Sequence, residues 1–208
     1  CVGNNLIGPS VVLRYADLSN QNLSSLNLKG VEFTLSNLTG TDFSNSDLSG
    51  AYFGGTLMNN SNLSNANLTT FKSVLMFDCP IELPSDWTCF SEGHEHSLDQ
   101  YPEPFYPLFG DYQAAATRLL GPSATIASVG YLSQTPNLDF SNLNLSGAIF
   151  EINNFTGANF SLTNLDDTVW ISTYCPNGEF SDNHKQSCED QLETSNGGGM
   201  SVFDYQYN

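Results

Sequence analysis

Cys79 and Cys89 stand ten residues apart, and Cys175 and Cys188 stand thirteen apart. Each pair opens on Cys-Pro and encloses a polar loop. Thiols at such spacing can form disulfides, ligate a metal, or lie buried and inert. Disulfides Cys79–Cys89 and Cys175–Cys188 are the expected arrangement, each closing a short loop and contributing ~3 kcal/mol in the chain-entropy account. Zinc is the rival, without the Cys-x2-Cys spacing of structural zinc sites; free buried thiols are the third reading. Disulfides imply an oxidising compartment, extracellular or at the cell surface. Cys1 is the odd thiol, expected to carry a lipid or to bridge to a neighbour, with an upstream segment removed or left out.

Other candidate chemistry is sparse. His94 and His96, beside Glu92 and Glu95, could share a metal only if an extended strand put both imidazoles on one side. A solvated linker is the simpler reading. Calcium between Asp167 and Asp182 is an unspecific candidate. His184 sits in a loop with no evident partner for a triad. There is no G-x-S-x-G elbow and no phosphate-binding P-loop. No cofactor and no enzymatic activity are expected. Five basic residues against twenty-two acidic ones give a net charge of −17. That excludes binding to a nucleic-acid backbone, which needs cations to displace counterions. No apolar stretch approaches the ~18 residues of a membrane-spanning helix.

The elements that carry these residues follow an unusual period. From Leu13, every fifth residue is large and apolar as far as Leu68, through Leu18, Leu23, Leu28, Phe33 and onward. A second run has centres at Phe140, Leu145, Phe150, Phe155, Phe160 and Leu165, with Trp170 in register. Two residues before the centre there is often a small residue, such as Ala16, Ser36, Thr41 or Ala158. Asp or Asn commonly precedes the centre, and Ser or Thr follows it. Period five fits neither an amphipathic helix nor a flat strand. It fits a coil of short straight sides with Asn, Gly and Ser at the corners.

The stretches "YADLSNQNLSSLNL", "TDFSNSDLSGAYF", "SNLSNANLTT" and "TGANFSLTNL" resemble the pentapeptide-repeat family, A-(D/N)-L-x-x. The resemblance implies an all-β fold, a right-handed quadrilateral β-helix with four pentapeptides per coil. The first run then makes about three coils, roughly 14 Å tall at the ~4.8 Å strand spacing, and the second nearly two more. Gln21, Leu26, Leu138, Leu143 and Asn153 replace the small residue and imply a locally swollen coil.

An open coil end exposes backbone and an apolar cross-section, and must be capped. Both runs end alike, in an aromatic stretch, Cys-Pro, a polar loop and Cys. Two tandem stacks with disulfide-stapled caps are therefore expected. Residues 1–92 form the first module and 93–118 a linker with a short helix in "DYQAAATRLL". Residues 119–195 form the second module, and 196–208 a Gly hinge with a β-strand tail. The tail residues Met200, Val202, Phe203, Tyr205 and Tyr207 are the expected assembly strand, pairing with the chain's own coils or with a neighbour.

Candidate N-glycosylation sites stand at Asn22, Asn37, Asn59, Asn62, Asn67, Asn144, Asn154 and Asn159. Seven precede a repeat centre, so the repeat itself writes them. The first functional expectation is an extracellular structural subunit, self-associating into a fibre or surface assembly by end-to-end stacking or strand exchange. The family resemblance implies a second, a DNA mimic acting on DNA gyrase, which the negative charge suits and the cysteine caps do not. The third is a secreted module binding glycans, cations or a protein through Tyr101, Phe105, Tyr106 and Phe109.

Overall fold

The computed structural model describes residues 7–74, 76–97, 113–127 and 138–188, with 190 and 192; for 92–97 and 113–116 it describes the backbone alone. The five-residue period is a period of corners. From Ser10 to Thr70, every fifth residue has φ between 56° and 68°. Only residues tolerant of the left-handed region do this cheaply. That is why Asn, Ser and Gly recur there. Gly40 shows a second constraint, because a Cβ at this corner would run into the Asn20 side chain one coil away. Tyr15, Leu35 and Ile152 hold the same backbone without that tolerance.

Four such sides close one coil, so register advances by twenty residues. Strands β1 (Val12–Arg14), β2 (Glu32–Thr34), β3 (Tyr52–Gly54) and β4 (Lys72–Val74) pair in parallel, with Leu13 beside Phe33 and Phe33 beside Phe53. The sheet continues through β8 (Thr125–Ala127), β9 (Ile149–Glu151) and β10 (Val169–Ile171). Its order is β1-β2-β3-β4-β8-β9-β10, all parallel. The two runs of coils therefore stack end to end in one sheet. Only this strand side is extended. The other three, the turn sides, touch through single bridges such as Asn22↔Asp42 and Asn27↔Asp47.

Phe and Leu centres fill the axis. Phe33, Phe43, Phe53, Phe150 and Trp170 are fully buried. Phe33 and Phe53 meet edge-on with centroids 5.1 Å apart, and Phe150 and Trp170 lie 4.2 Å apart. Burying each such side chain contributes about 1.5–3 kcal/mol. The small inward residues explain themselves too. Thr41 and Ser46 donate to the carbonyls of Leu18 and Leu23 in the coil below, at 2.8 and 2.7 Å. A buried hydroxyl needs such a partner.

Between β4 and β8 the chain leaves the solenoid. Strands β5 (Met76–Phe77), β6 (Thr88–Ser97) and β7 (Gln113–Leu120) form an antiparallel sheet in the order β5-β7-β6. The helix expected in "DYQAAATRLL" is thus a strand over its described part. Alanine favours a helix, but so short a helix is marginal alone. Between β5 and β6 this segment gains partners on both edges. Thr117 also donates to the Asp78 carbonyl at 2.9 Å.

Neither expected disulfide is displaced: Cys79–Cys89 and Cys175–Cys188 are both formed, with Cα separations of 5.8 and 5.4 Å. The swollen coil is not general. Asn153 is fully buried but donates to the Ile126 carbonyl at 3.0 Å, while Leu26 turns outward, 39% exposed.

Candidate functional site

Three sides of the solenoid consume their polar groups in turn chemistry. The Asp or Asn before each centre accepts the backbone N–H two residues on. Asp17 accepts from Ser19 at 3.1 Å, Asn62 from Ser64 at 2.9 Å, and Asp139 from Ser141 at 3.0 Å. This Asx turn sets the corner. Neighbouring coils then bond side chain to side chain. Asn67 donates to Asp47, and Asn159 to Asp139, each at 3.0 Å. The hydroxyl and N–H of Ser49 hold the Asp47 carboxyl below its ordinary range. The N–H and hydroxyl of Ser141 do the same for Asp139. These carboxylates are structural parts of the coil, which the sequence shows only as outward acids.

All eight candidate glycosylation residues lie on or beside the turn sides, exposed or half-buried. The cause is local. An Asx residue, a Leu or Phe centre and a Ser or Thr spell the acceptor sequence. Four of the pairs are bonded through their side chains: Ser24 to Asn22, Thr69 to Asn67, Ser146 to Asn144 and Ser161 to Asn159, at 2.6 to 2.9 Å. Asn59 differs, because its partner Ser61 is buried and donates to the Met58 carbonyl at 2.8 Å.

The strand side is chemically distinct. An extended strand needs no Asx turn, so Val12, Glu32, Tyr52, Lys72, Thr125, Ile149 and Val169 stand where the other sides have Asp or Asn. Its charges are paired. Arg14 meets Glu32 at 3.1 Å, and Lys72 meets Glu151 at 2.8 Å across β8. A Cβ on Gly54 would strike the Tyr52 ring, so that ring lies flat along the strand. The period alone did not mark this side; the missing Asp and Asn at these seven positions were the available signal.

The C-terminal end is closed by residues 176–188. The Trp170 N–H donates to the Gln186 carbonyl at 3.1 Å, and the Cys175 N–H to Glu179 at 2.7 Å. Tyr174 pairs antiparallel with Phe180 ahead of a 3-10 helix at Ser181–His184. The Ser172 N–H donates to Asp182 at 2.9 Å. Asp182 is therefore part of the cap, and among the described residues no group of three His, Cys, Asp or Glu converges as a metal site. His184 lies 3.8 Å from Glu179. His94 and His96 lie on β6, where only the backbone is described. Cys1, Tyr101, Phe105, Tyr106 and Phe109 lie outside the described residues, as do Met200, Val202, Phe203, Tyr205 and Tyr207. No described helix is long and apolar enough to cross a membrane.

The model of pentapeptide repeats matches residues 11–40, 36–70 and 137–169, in eight copies. No curated protein sequence matches the chain. Among solved structures, QnrB1, a plasmid-mediated fluoroquinolone resistance protein, is 12% identical with a TM-score of 0.33, over 81% of this chain and 69% of its own. HetL, a pentapeptide repeat protein involved in heterocyst differentiation regulation in the cyanobacterium Nostoc sp. strain PCC 7120, is 16% identical with a TM-score of 0.25, over 84% and 91%. The repeat grammar, the corners at every fifth residue and the family match agree: residues 11–70 and 137–169 of this chain are pentapeptide repeats.

Proposed function

We propose that this chain is a non-enzymatic structural protein, an extracellular or cell-surface subunit that self-associates within a larger assembly. The observation that carries the reading is the pair of closed disulfides in a chain with a single further cysteine. Paired cysteines suit an oxidising compartment. The polar residues of the repeat support it as well, since they build corners and inter-coil bonds.

The cap narrows the mode of assembly. Its loop already occupies backbone groups along the C-terminal edge, including the N–H groups of Trp170 and Cys175. Stacking through that end is disfavoured. Lateral contacts, or exchange of the tail strand, remain the routes. The glycosylation residues face outward, where sugar chains would keep the coils soluble. Native material tests the reading in two steps. Thiol labelling without reductant should leave all four paired cysteines unmodified. Electron microscopy should show a polymer or ordered layer. Labelled cysteines, or dispersed particles only, would refute it.

A second reading is favoured by the net charge of −17. An acidic rod of stacked coils could present itself to DNA gyrase in place of DNA. Purified protein added to a supercoiling reaction decides between them: the structural reading predicts no change, the mimic predicts inhibition or protection.

A further inference from the structure

Three sides of the solenoid carry Asp17, Asp42, Asp47, Asp139 and Asp166 and every candidate glycosylation sequence. On the fourth there is no such sequence, and the described charges cancel. Its described outward groups include two cations and two carboxylates, joined as Arg14–Glu32 and Lys72–Glu151. Half of the exposed cationic set of a chain with five basic residues is thus on one side, Arg118 being buried and Lys29 and Lys185 lying elsewhere. Beside the ion pairs stand apolar groups: Tyr52 lies along Gly54 on the strand between the pairs, and Val12 and Val169, on the two edge strands, are 55% and 39% exposed.

We propose that the strand side is a self-association face, and that its occupant is the strand side of a second copy of this chain. The inference rests in part on the structural-subunit reading, whose lateral contact it specifies. Charge selects the occupant. A second copy also carries −17, and like charges brought together across an interface oppose association. Among the described residues, the strand side is the approach on which each copy's charges cancel. Sugars select it again. Wherever the chain is glycosylated, the turn sides are screened and this side stays bare, because its extended strands have no Asx turn from which a sequon could arise. Its size sets the strength. Seven strands at ~4.8 Å spacing and three residues of ~3.3 Å give a face of roughly 300 Å². Stable pairs bury about 800 Å² per partner. The contact is therefore weak and reversible, and becomes strong only through repetition in an assembly.

A single substitution tests this. Glu32→Asn turns Glu32-Phe33-Thr34 into Asn-Phe-Thr, an acceptor sequence on the strand side. Asp166→Ser makes Asn164-Leu165-Ser the matching control on a turn side. Full-length proteins from a glycosylating host are compared by sedimentation equilibrium up to about 1 mM, which as a dissociation constant corresponds to a binding free energy of about −4 kcal/mol. The wild type and Asp166→Ser should dimerise alike. Glycosylated Glu32→Asn should stay monomeric, its dissociation constant raised at least tenfold. Amidase removal of its sugar leaves Asp at position 32, opposite Arg14, and should restore the dimer. Thr125→Glu, which needs no sugar and stands beside Lys72, should weaken dimerisation as well. A wild type monomeric through 1 mM overturns the proposal, and so does undiminished dimerisation of both strand-side variants. Free thiols in native material would instead defeat the structural reading and leave this contact standing.

Discussion

Ser73 and Trp170 occupy equivalent places, each the inward centre of the strand side where the repeat breaks off. Around both, the chain reads alike: coils, aromatics, Cys-Pro, polar loop, Cys. The outcomes differ. At Ser73 the axis is left short of a side chain, and Leu119 of β7 comes in, fully buried among the first group of coils. The Ser73 hydroxyl accepts the Leu119 N–H at 3.0 Å and faces its carbonyl at 3.4 Å. The solenoid thereby admits an inserted sheet and then resumes. At Trp170 the axis is filled outright. The loop that follows folds across the last coil, its Trp170–Gln186 and Cys175–Glu179 backbone bonds closing the stack. The size of one inward side chain separates an insertion from a terminus.

The largest test of that contrast is Trp170→Ala. Removing a fully buried Trp costs about 3–5 kcal/mol. Urea unfolding should show that loss, with hydrogen exchange rising first in residues 176–188. A loss under ~1 kcal/mol would mean that the cap stands without its anchor.

The disulfides come next. Loops of ten and thirteen residues differ by only ~0.2 kcal/mol in closure entropy. Yet Cys175 and Cys188 are fully buried, while Cys79 and Cys89 are not. Replacing the terminal pair by alanines should cost about 2–4 kcal/mol, and more than replacing the inner pair. Equal costs would make loop closure the whole effect and remove the distinction between cap and insertion. Mass spectrometry under graded reductant should find Cys79–Cys89 opening first.

Ser73→Phe restores the sequence rhythm and should nevertheless destabilise, by about 1–3 kcal/mol, because Leu119 already fills that volume. The hydroxyl's bonds to Leu119 are lost as well. Adding Leu119→Ala to Ser73→Phe should recover part of the loss, and a double-mutant cycle reads the coupling. Additive costs would show that the two residues do not share one space.

The rhythm made the solenoid legible because it states corner, wall and axis in every side. Leu13 to Leu68 needs nothing beyond local grammar. Ser73 was legible only as an ending, since its missing volume is supplied forty-six residues later. The strand in "QAAATRLL" was illegible for the same reason: alanine's helical preference is overridden by partners at Met76–Phe77 and Thr88–Ser97. The cysteine pairs were readable from spacing. That one lies before an insertion and the other at a terminus was not, because stretches of the same order, aromatics then Cys-Pro, precede both. The strand side escaped notice because its mark is the lack of Asp and Asn.

The smallest effect lies in the uninterrupted coils, and it sharpens the contrast by showing what an ordinary side contributes. Asp47 accepts the Ser49 N–H at 3.0 Å and the Asn67 amide at 3.0 Å. Asp47→Ala removes both and should cost ~1 kcal/mol at neutral pH. Asp47→Asn keeps an acceptor oxygen and should lie close to the wild type. Acid separates these two. The Asp47 carboxyl is held below its ordinary 3.8, first by the Ser49 hydroxyl and then by the Ser49 N–H. A depressed native value means that the ionised form stabilises the fold. This stability is complete above the unfolded value and is lost as pH falls through the lower native one. Below about pH 4 the wild type should therefore lose its small advantage while Asp47→Asn does not. Urea midpoints taken at pH 7 and near pH 3 give the comparison. If Asp47→Asn declines with acid as steeply as the wild type, the acid limb belongs to other carboxylates.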